Sequence, residues 1–167
     1  MKITIYTDGS SRGNPGPGGW AAIIMTEDEV IELGGREDLT TNNRMELMGA
    51  IVGLREIDAR HVHATSVEVC TDSEYVRKGM TQWIQGWVKK GWKTSTKKDV
   101  LNKDLWEQLL HEETRLTKTG IIVTWKYVKA HVGIAGNERA DTIATCCADN
   151  ASHLQLYRGS KKDYLYI

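Results

Sequence analysis

The chain has three cysteines and two prolines among 167 residues, and its 22 basic side chains cancel its 22 acidic ones. Three cysteines are an odd set, and Cys146 and Cys147 are adjacent, a spacing at which a disulfide seldom forms. A disulfide scaffold is excluded, and Cys70, Cys146 and Cys147 read as reduced, buried thiols. A zinc site would need a second Cys or His pair at ligand spacing. His61 and His63 are available, but nothing places them near either cysteine position. No apolar run approaches the roughly 20 residues that cross a bilayer. The first ten residues are too short and polar for a signal-peptide core. The expectation is a soluble, cytoplasmic monomer with no membrane partner. With 40% hydrophobic and 26% charged residues, disordered and collagen-like chains drop out, and one globular domain is expected.

The zero net charge conceals a division. Residues 1–76 carry a net −7, residues 77–103 carry +7, and residues 104–167 are neutral. An acidic first half followed by one strongly basic stretch is a distribution that an average hides.

Polar and apolar residues alternate over 2–7, which predicts a strand ending at Asp8. Residues 9–19 hold five glycines and both prolines and read as a loop. Residues 20–25 and 30–33 read as two more strands around the turn Glu27-Asp28-Glu29, giving an antiparallel meander. From Asn42 the apolar positions Met45, Met48, Ile51 and Val52 recur at helical spacing, with Thr41 or Asn42 placed to cap. Residues 67–71 form a buried-type strand that a helix separates from the meander, so it runs parallel to a strand already in the sheet. Short helices over 73–80 and 81–87, a basic irregular segment over 88–98, a helix over 100–116, a strand over 121–128 and a helix over 137–149 complete the order. This is an α/β domain: a five-stranded mixed sheet flanked by helices.

In such sheets ligands gather beyond the carboxyl ends of parallel strands. Asp8 and Asp72 each follow a strand, Glu46 falls in the first turn of the intervening helix, and Asp141 lies near the start of the last helix. Four carboxylates so placed repel one another unless divalent cations fill the cluster, and hard oxygen ligands favour magnesium or manganese over zinc. The same pattern is also compatible with two turn-starting aspartates, a glutamate at a helix dipole and one surface acid.

The segments Tyr6-Thr7-Asp8-Gly9-Ser10, Gly13-Asn14-Pro15-Gly16-Pro17-Gly18-Gly19, Thr41-Asn42-Asn43-Arg44-Met45-Glu46-Leu47, Thr71-Asp72-Ser73, Ala130-His131 and Asn137-Glu138-Arg139-Ala140-Asp141 together resemble the type 1 ribonucleases H of bacteria, which cut the RNA strand of RNA–DNA hybrids. The resemblance runs from Met1 to about Cys147. It implies the ribonuclease H-like fold, with a catalytic domain over 1–149 and a tail of mixed polarity over 150–167. It implies that Asp8, Glu46, Asp72 and Asp141 bind two magnesium ions, manganese being a substitute, with Asp8 shared between them. One ion would activate water and the other stabilise the leaving 3′ oxygen, so that products carry 5′-phosphate and 3′-hydroxyl ends. His131 would handle a proton or assist product release. Gly9, Ser11, Asn14, Asn42 and Asn43 would line the minor groove of the hybrid, and Glu46 would also meet a ribose 2′-hydroxyl, the group that separates RNA from DNA. Thr41 and Asn102 match a pocket for a DNA-strand phosphate.

Three residues depart from the family pattern. Leu39 stands where an Arg is frequent, which implies a looser phosphate pocket. Glu74 replaces Gln, adding negative charge beside the metal site and putting an amide contact to a base in doubt. Ala130 replaces Gly.

Trp83, Trp87, Trp92 and Trp106 are interleaved with Lys89, Lys90, Lys93, Lys97 and Lys98, a mixture suited to a nucleic-acid backbone. The resemblance places here a basic protrusion, about 83–103, that grips the hybrid. Trp83 and Trp87 are read as DNA-strand contacts, whereas Trp92 and Trp106 serve equally well as a small packed subcore.

Overall fold

The computed structural model describes residues 1–58 and 63–167; His61, half of the histidine pair considered for zinc, lies outside them. Strands β1 (Lys2–Ser11), β2 (Gly16–Met25) and β3 (Glu29–Thr40) form the antiparallel meander. Helix α1 (Asn42–Arg55) returns the chain to β4 (Ser66–Thr71), which runs parallel to β1. Helices α2 (Glu74–Lys78), α3 (Ile84–Lys89) and α4 (Lys103–Thr117) lead to β5 (Ile122–Tyr127), parallel to β4. Helix α5 (Ala135–Ala148) then crosses to the opposite face, and β6 (Arg158–Ser160) pairs antiparallel with β3. The sheet order is β5-β4-β1-β2-β3-β6.

The two-residue period of a strand sends alternate side chains to opposite layers. Ile3 and Ile5 of β1 and Ala22 and Ile24 of β2 join Leu47, Ile51 and Leu54 of α1 in one core. Ala21, Ile23 and Met25 of β2 meet Ala140, Ile143 and Ala144 of α5 in the other. Thr41 caps α1, its hydroxyl accepting the Arg44 N–H at 3.3 Å.

Several expectations need correction. Among the described residues the sheet has six strands, not five, because the tail supplies β6. The first strand continues past Asp8 to Ser11 and β2 begins at Gly16, so most of the expected glycine-rich loop is paired sheet. The glycines are there for close packing: a Cβ on Gly18 would lie 2.5 Å from the Thr40 side chain, and one on Gly19 would lie 2.2 Å from the Ala144 carbonyl oxygen. β3 runs to Thr40 rather than Leu33. The two short helices expected over 73–87 form one continuous path, with a π-helical turn over Gly79–Trp83 between α2 and α3. Trp106 packs directly against this turn: its ring would be 1.9 Å from a Cβ on Gly79.

All three cysteines are free; Cys70 is buried, while Cys146 and Cys147 are half-buried rather than buried. Among the described residues, no helix is long and apolar enough to cross a membrane.

Candidate active site

The site forms where α1 presses against β1. A Cβ on Gly9 would fall 2.2 Å from the Glu46 backbone nitrogen, and one on Gly49 would fall 2.6 Å from the Ala21 carbonyl oxygen and 2.9 Å from that of Asp8. Two glycines therefore let the helix lie on the sheet, and this contact places Glu46 beside Asp8. Asp72 enters from the end of the neighbouring parallel strand β4. Ligand oxygens of Asp8, Glu46 and Asp72 all lie within 4.8 Å of one another.

Asp8 and Glu46 are buried and Asp72 is half-buried. Burial first, then the charge of Asp72, pushes the Asp8 carboxyl up to about 8, against the Gly9 N–H that donates to Asp8 Oδ1 at 2.9 Å. Burial, followed by Asp8 and Asp72, raises Glu46 well above the ordinary carboxyl range. Burial also raises Asp72, opposed by a hydrogen bond from Asn137 and by the nearby imidazole of His131. Glu46 Oε2 is buried with no hydrogen-bond partner. Three carboxylates converging on one point, with one buried oxygen unsatisfied, suit a divalent cation: it would supply the missing partner and favour the ionised carboxyls. Oxygen-only donors select a hard cation such as magnesium or manganese.

Asp141, the fourth expected ligand, stands at the margin. It is half-buried on α5 and outside the 4.8 Å cluster, yet its charge acts on both Asp8 and Asp72. His131 is exposed in the loop before α5, with a left-handed backbone (φ 55°). That loop is closed by the Gly133 N–H donating to Glu138 Oε1 at 3.0 Å.

Asn137 escaped the reading of the sequence as a site residue. It is 2% exposed, lies near enough to Asp72 to favour its ionised carboxyl, and keeps its Oδ1 unpartnered. The available signal was its place in the Asn137–Asp141 motif, one helical turn before Asp141 and so on the same face of α5.

The RNase H family's sequence profile matches residues 1–149. The chain belongs to the RNase H family. Among its relatives, the ribonuclease H of Chromohalobacter salexigens is 51% identical over 148 residues, covering 89% of this chain and 85% of the relative. That of Alcanivorax borkumensis is 48% identical over 153 residues, covering 92% and 95%. Among solved structures, LC9-RNase H1, a type 1 RNase H with the type 2 active-site motif, superposes with a TM-score of 0.76 at 31% identity, covering 89% of this chain and 72% of that one. LC11-RNase H1, solved in complex with an RNA/DNA hybrid, gives 0.66 at 25% identity, covering 89% and 98%.

Within this RNase H chain the remaining predicted residues fall into two groups. Asn14, Thr41, Asn42, Asn43 and Asn102 line one cleft with Leu101, and the Asn42 N–H donates to Asn14 Oδ1 at 3.2 Å. Gly9 is buried beneath α1, and Ser11 is half-buried at the end of β1. Leu39 is 75% exposed on β3 and offers no donor.

The second group is the basic stretch. Lys89, Lys90, Lys93, Lys97 and Lys98 are exposed, and Lys93 is held by Asp99 at 2.6 Å. Its tryptophans stack through Tyr75, Trp83, Trp87, Trp92 and Trp106 at centroid separations of 5.1 to 6.1 Å. Trp106 is fully buried, Trp87 and Trp92 are half-buried against the core, and Trp83 is 37% exposed. Trp87 is thus part of the packed cluster, and Trp83 presents the most accessible indole of the group.

Glu74 does not stand as a free negative charge. Arg77 donates to both its oxygens at 3.1 and 2.9 Å, and Lys78 lies 3.5 Å away. Those hydrogen bonds hold its carboxyl below the usual range.

Proposed function

We propose that the protein is a magnesium-dependent endonuclease that hydrolyses the RNA strand of RNA–DNA hybrids, leaving 5′-phosphate and 3′-hydroxyl ends. The observation that carries this reading is the convergence of Asp8, Glu46 and Asp72 within 4.8 Å, with Asp141 beside them, in a chain of the RNase H family. The hybrid in the LC11-RNase H1 complex supports the substrate class.

Asp8, Glu46, Asp72 and Asp141 would hold the cations. When bound, two such ions activate the attacking water and stabilise the departing 3′ oxygen of an in-line displacement. Asn137 favours the ionised form of the Asp72 carboxyl. His131, exposed on its loop, moves a proton to or from the reacting phosphodiester. The cleft of Asn14, Thr41, Asn42, Asn43 and Asn102 offers neutral donors to the sugar–phosphate backbone, Thr41 and Asn102 taking a DNA-strand phosphate. Lys89, Lys90, Lys97 and Lys98, all exposed on the basic stretch that also carries the exposed Trp83, grip the hybrid away from the reacting bond, and Lys93, held by Asp99, contributes less.

The test is cleavage of end-labelled RNA–DNA hybrid, double-stranded RNA and duplex DNA with magnesium or manganese. Cutting confined to the RNA of the hybrid is expected. Tight hybrid binding without cutting would reduce the protein to a binding module.

A further inference from the structure

We infer that Arg44 is a positioning residue for the substrate: it turns the side-chain amide of Asn102 so that an N–H, and not the carbonyl oxygen, faces the DNA-strand phosphate. This rests on the reading of the Thr41–Asn102 cleft given under the proposed function.

The orientation follows from which groups can only donate. Arg44 Nη1 lies 3.3 Å from Asn102 Oδ1. A guanidinium has no acceptor, so the oxygen of the amide must face Arg44 and its NH2 must face away. The Asn102 Nδ2 then donates to the Tyr75 hydroxyl oxygen at 3.1 Å. That oxygen also accepts from Trp106 Nε1 at 3.1 Å, and an indole, too, only donates. Asn102 is thus held at both ends, and one amide N–H remains for the cleft lined by Asn14, Thr41, Asn42, Asn43 and Leu101.

Arg44 is itself fixed. Asp104, in the first turn of α4, accepts from its Nη1 and Nη2 at 2.9 and 2.7 Å. The guanidinium holds the Asp104 carboxyl below its ordinary range, so the pair stays ionised. With its charge engaged by Asp104, Arg44 acts on the cleft through Asn102. The backbone of Asn102 is left-handed (φ 60°, ψ 26°), and its side chain makes no cap to α4, so the amide has no competing role at the helix start. Thr41 completes the arrangement: its oxygen accepts the Arg44 N–H at 3.3 Å, leaving the hydroxyl proton to donate into the cleft. Leu39 contributes no donor here, so the direction of one amide carries more of the phosphate's recognition than it would beside an arginine.

The test measures hybrid affinity at fixed salt in an Asp8→Asn background, so that the substrate is not cut. The substrates are the unmodified hybrid and a series with one methylphosphonate moved along the DNA strand. Thr41→Ala and Asn102→Ala locate the linkage at which their penalties vanish. Arg44→Ala is expected to weaken binding about tenfold, the worth of one hydrogen bond to a charged group, and to have no effect on the hybrid neutralised at that same linkage. Arg44→Lys restores a donor to Oδ1 and is expected to recover most of the loss. Asp104→Ala, an exposed change that leaves the fold intact, is expected to give a smaller penalty with the same cancellation. Unchanged affinity in Arg44→Ala, or a loss that persists on the neutralised hybrid, overturns the inference. If no linkage cancels Asn102→Ala, the phosphate reading of the cleft falls and the inference falls with it.

Discussion

A carboxylate that burial and a like-charged neighbour push up to about 8 is, without a cation, a cost that the fold bears. The native state holds a proton on Asp8 that the unfolded chain, with its carboxyl at the ordinary 3.8, gives up. Stability of the metal-free protein should therefore fall as pH rises from about 4 to about 8, by up to about 1.4 kcal/mol per pH unit for each such proton. Saturating magnesium should flatten that slope, because the cation favours the ionised form. Asp8→Asn should flatten it as well, raise the metal-free melting temperature, and lower cleavage by at least about a thousandfold. Melting curves across this pH range, with chelator and with magnesium, check the first claim, and single-turnover cleavage checks the last. A metal-free stability that rises with pH would show that the cluster is not the strained element described. Asp8 and Asp72 were legible in the sequence because each marks the end of an expected strand, and Glu46 because it falls in the first turn of the helix between them; that pattern alone left ordinary turn acids open, and the family motifs decided for metal ligands. Asn137 was not legible, because a neutral amide carries no charge signal and its role is to favour the ionised form of another side chain.

Strand limits and glycines were the least legible elements, for a shared reason. Glycine normally reads as loop, since it lacks a side chain to pack and is entropically costly to order. Here Gly16, Gly18 and Gly19 lie in β2, where the turn at Arg12, the end of β3 at Thr40 and helix α5 at Ala144 respectively approach too closely for a Cβ. No local pattern announces an approach such as that of Ala144 to Gly19, more than a hundred positions away. The helices were more legible because α4 buries one face at the regular spacing and α1 is apolar through most of its length. Gly9→Ala tests the packing account: its methyl would sit 2.2 Å from the Glu46 backbone nitrogen, so α1 must shift. A loss of about 3 kcal/mol or more, together with weaker magnesium dependence, is expected from denaturant titration and cleavage assays. Ordinary stability in this variant would refute the close contact. The basic stretch makes a separate prediction. Lys93 is paired with Asp99, so Lys89, Lys90, Lys97 and Lys98 should carry the electrostatic grip. Replacing these four should reduce the slope of log affinity against log salt by up to about 3.6, about 0.9 per phosphate contact. Turnover at saturating hybrid should change little, and an unchanged slope would remove the stretch from the interface.

At the scale of the whole molecule, the neutral total resolves into an acidic site, a basic grip and a buried ion pair, Glu32 with Arg139, on which the tail closes. Residues 150–167 lie beyond the span matched by the family, yet they close over β3. Glu32, whose side chain is fully buried, accepts from Arg139 at 2.7 and 2.9 Å, from the Tyr164 hydroxyl at 2.7 Å and from the Tyr157 N–H at 2.9 Å. Arg139 also donates to the Gln155 carbonyl oxygen at 3.1 Å and lies 3.9 Å over the Tyr166 ring. Burial alone would raise the Glu32 carboxyl, but hydrogen bonds from Arg139, Tyr164 and Tyr157 bring it below its ordinary 4.5. The sign is opposite to that of Asp8: this group stabilises above pH 4.5, and its contribution is lost as pH falls through its lowered folded-state value. Removing one member of a buried pair leaves the other charged and unpaired, so Arg139→Met should cost about 3 to 5 kcal/mol. Tyr164→Phe removes one of four donors to the carboxylate and should cost about 1 to 3 kcal/mol. The double variant Glu32→Gln with Arg139→Met removes both charges and should recover part of the Arg139→Met loss. Urea titrations of the four proteins at pH 7 and pH 4 separate these effects. The penalty of Arg139→Met should shrink at the lower pH, because protonating Glu32 relieves the unpaired charge. A penalty equal at both pH values would mean that packing of the tail, and not the ion pair, holds residues 150–167 in place.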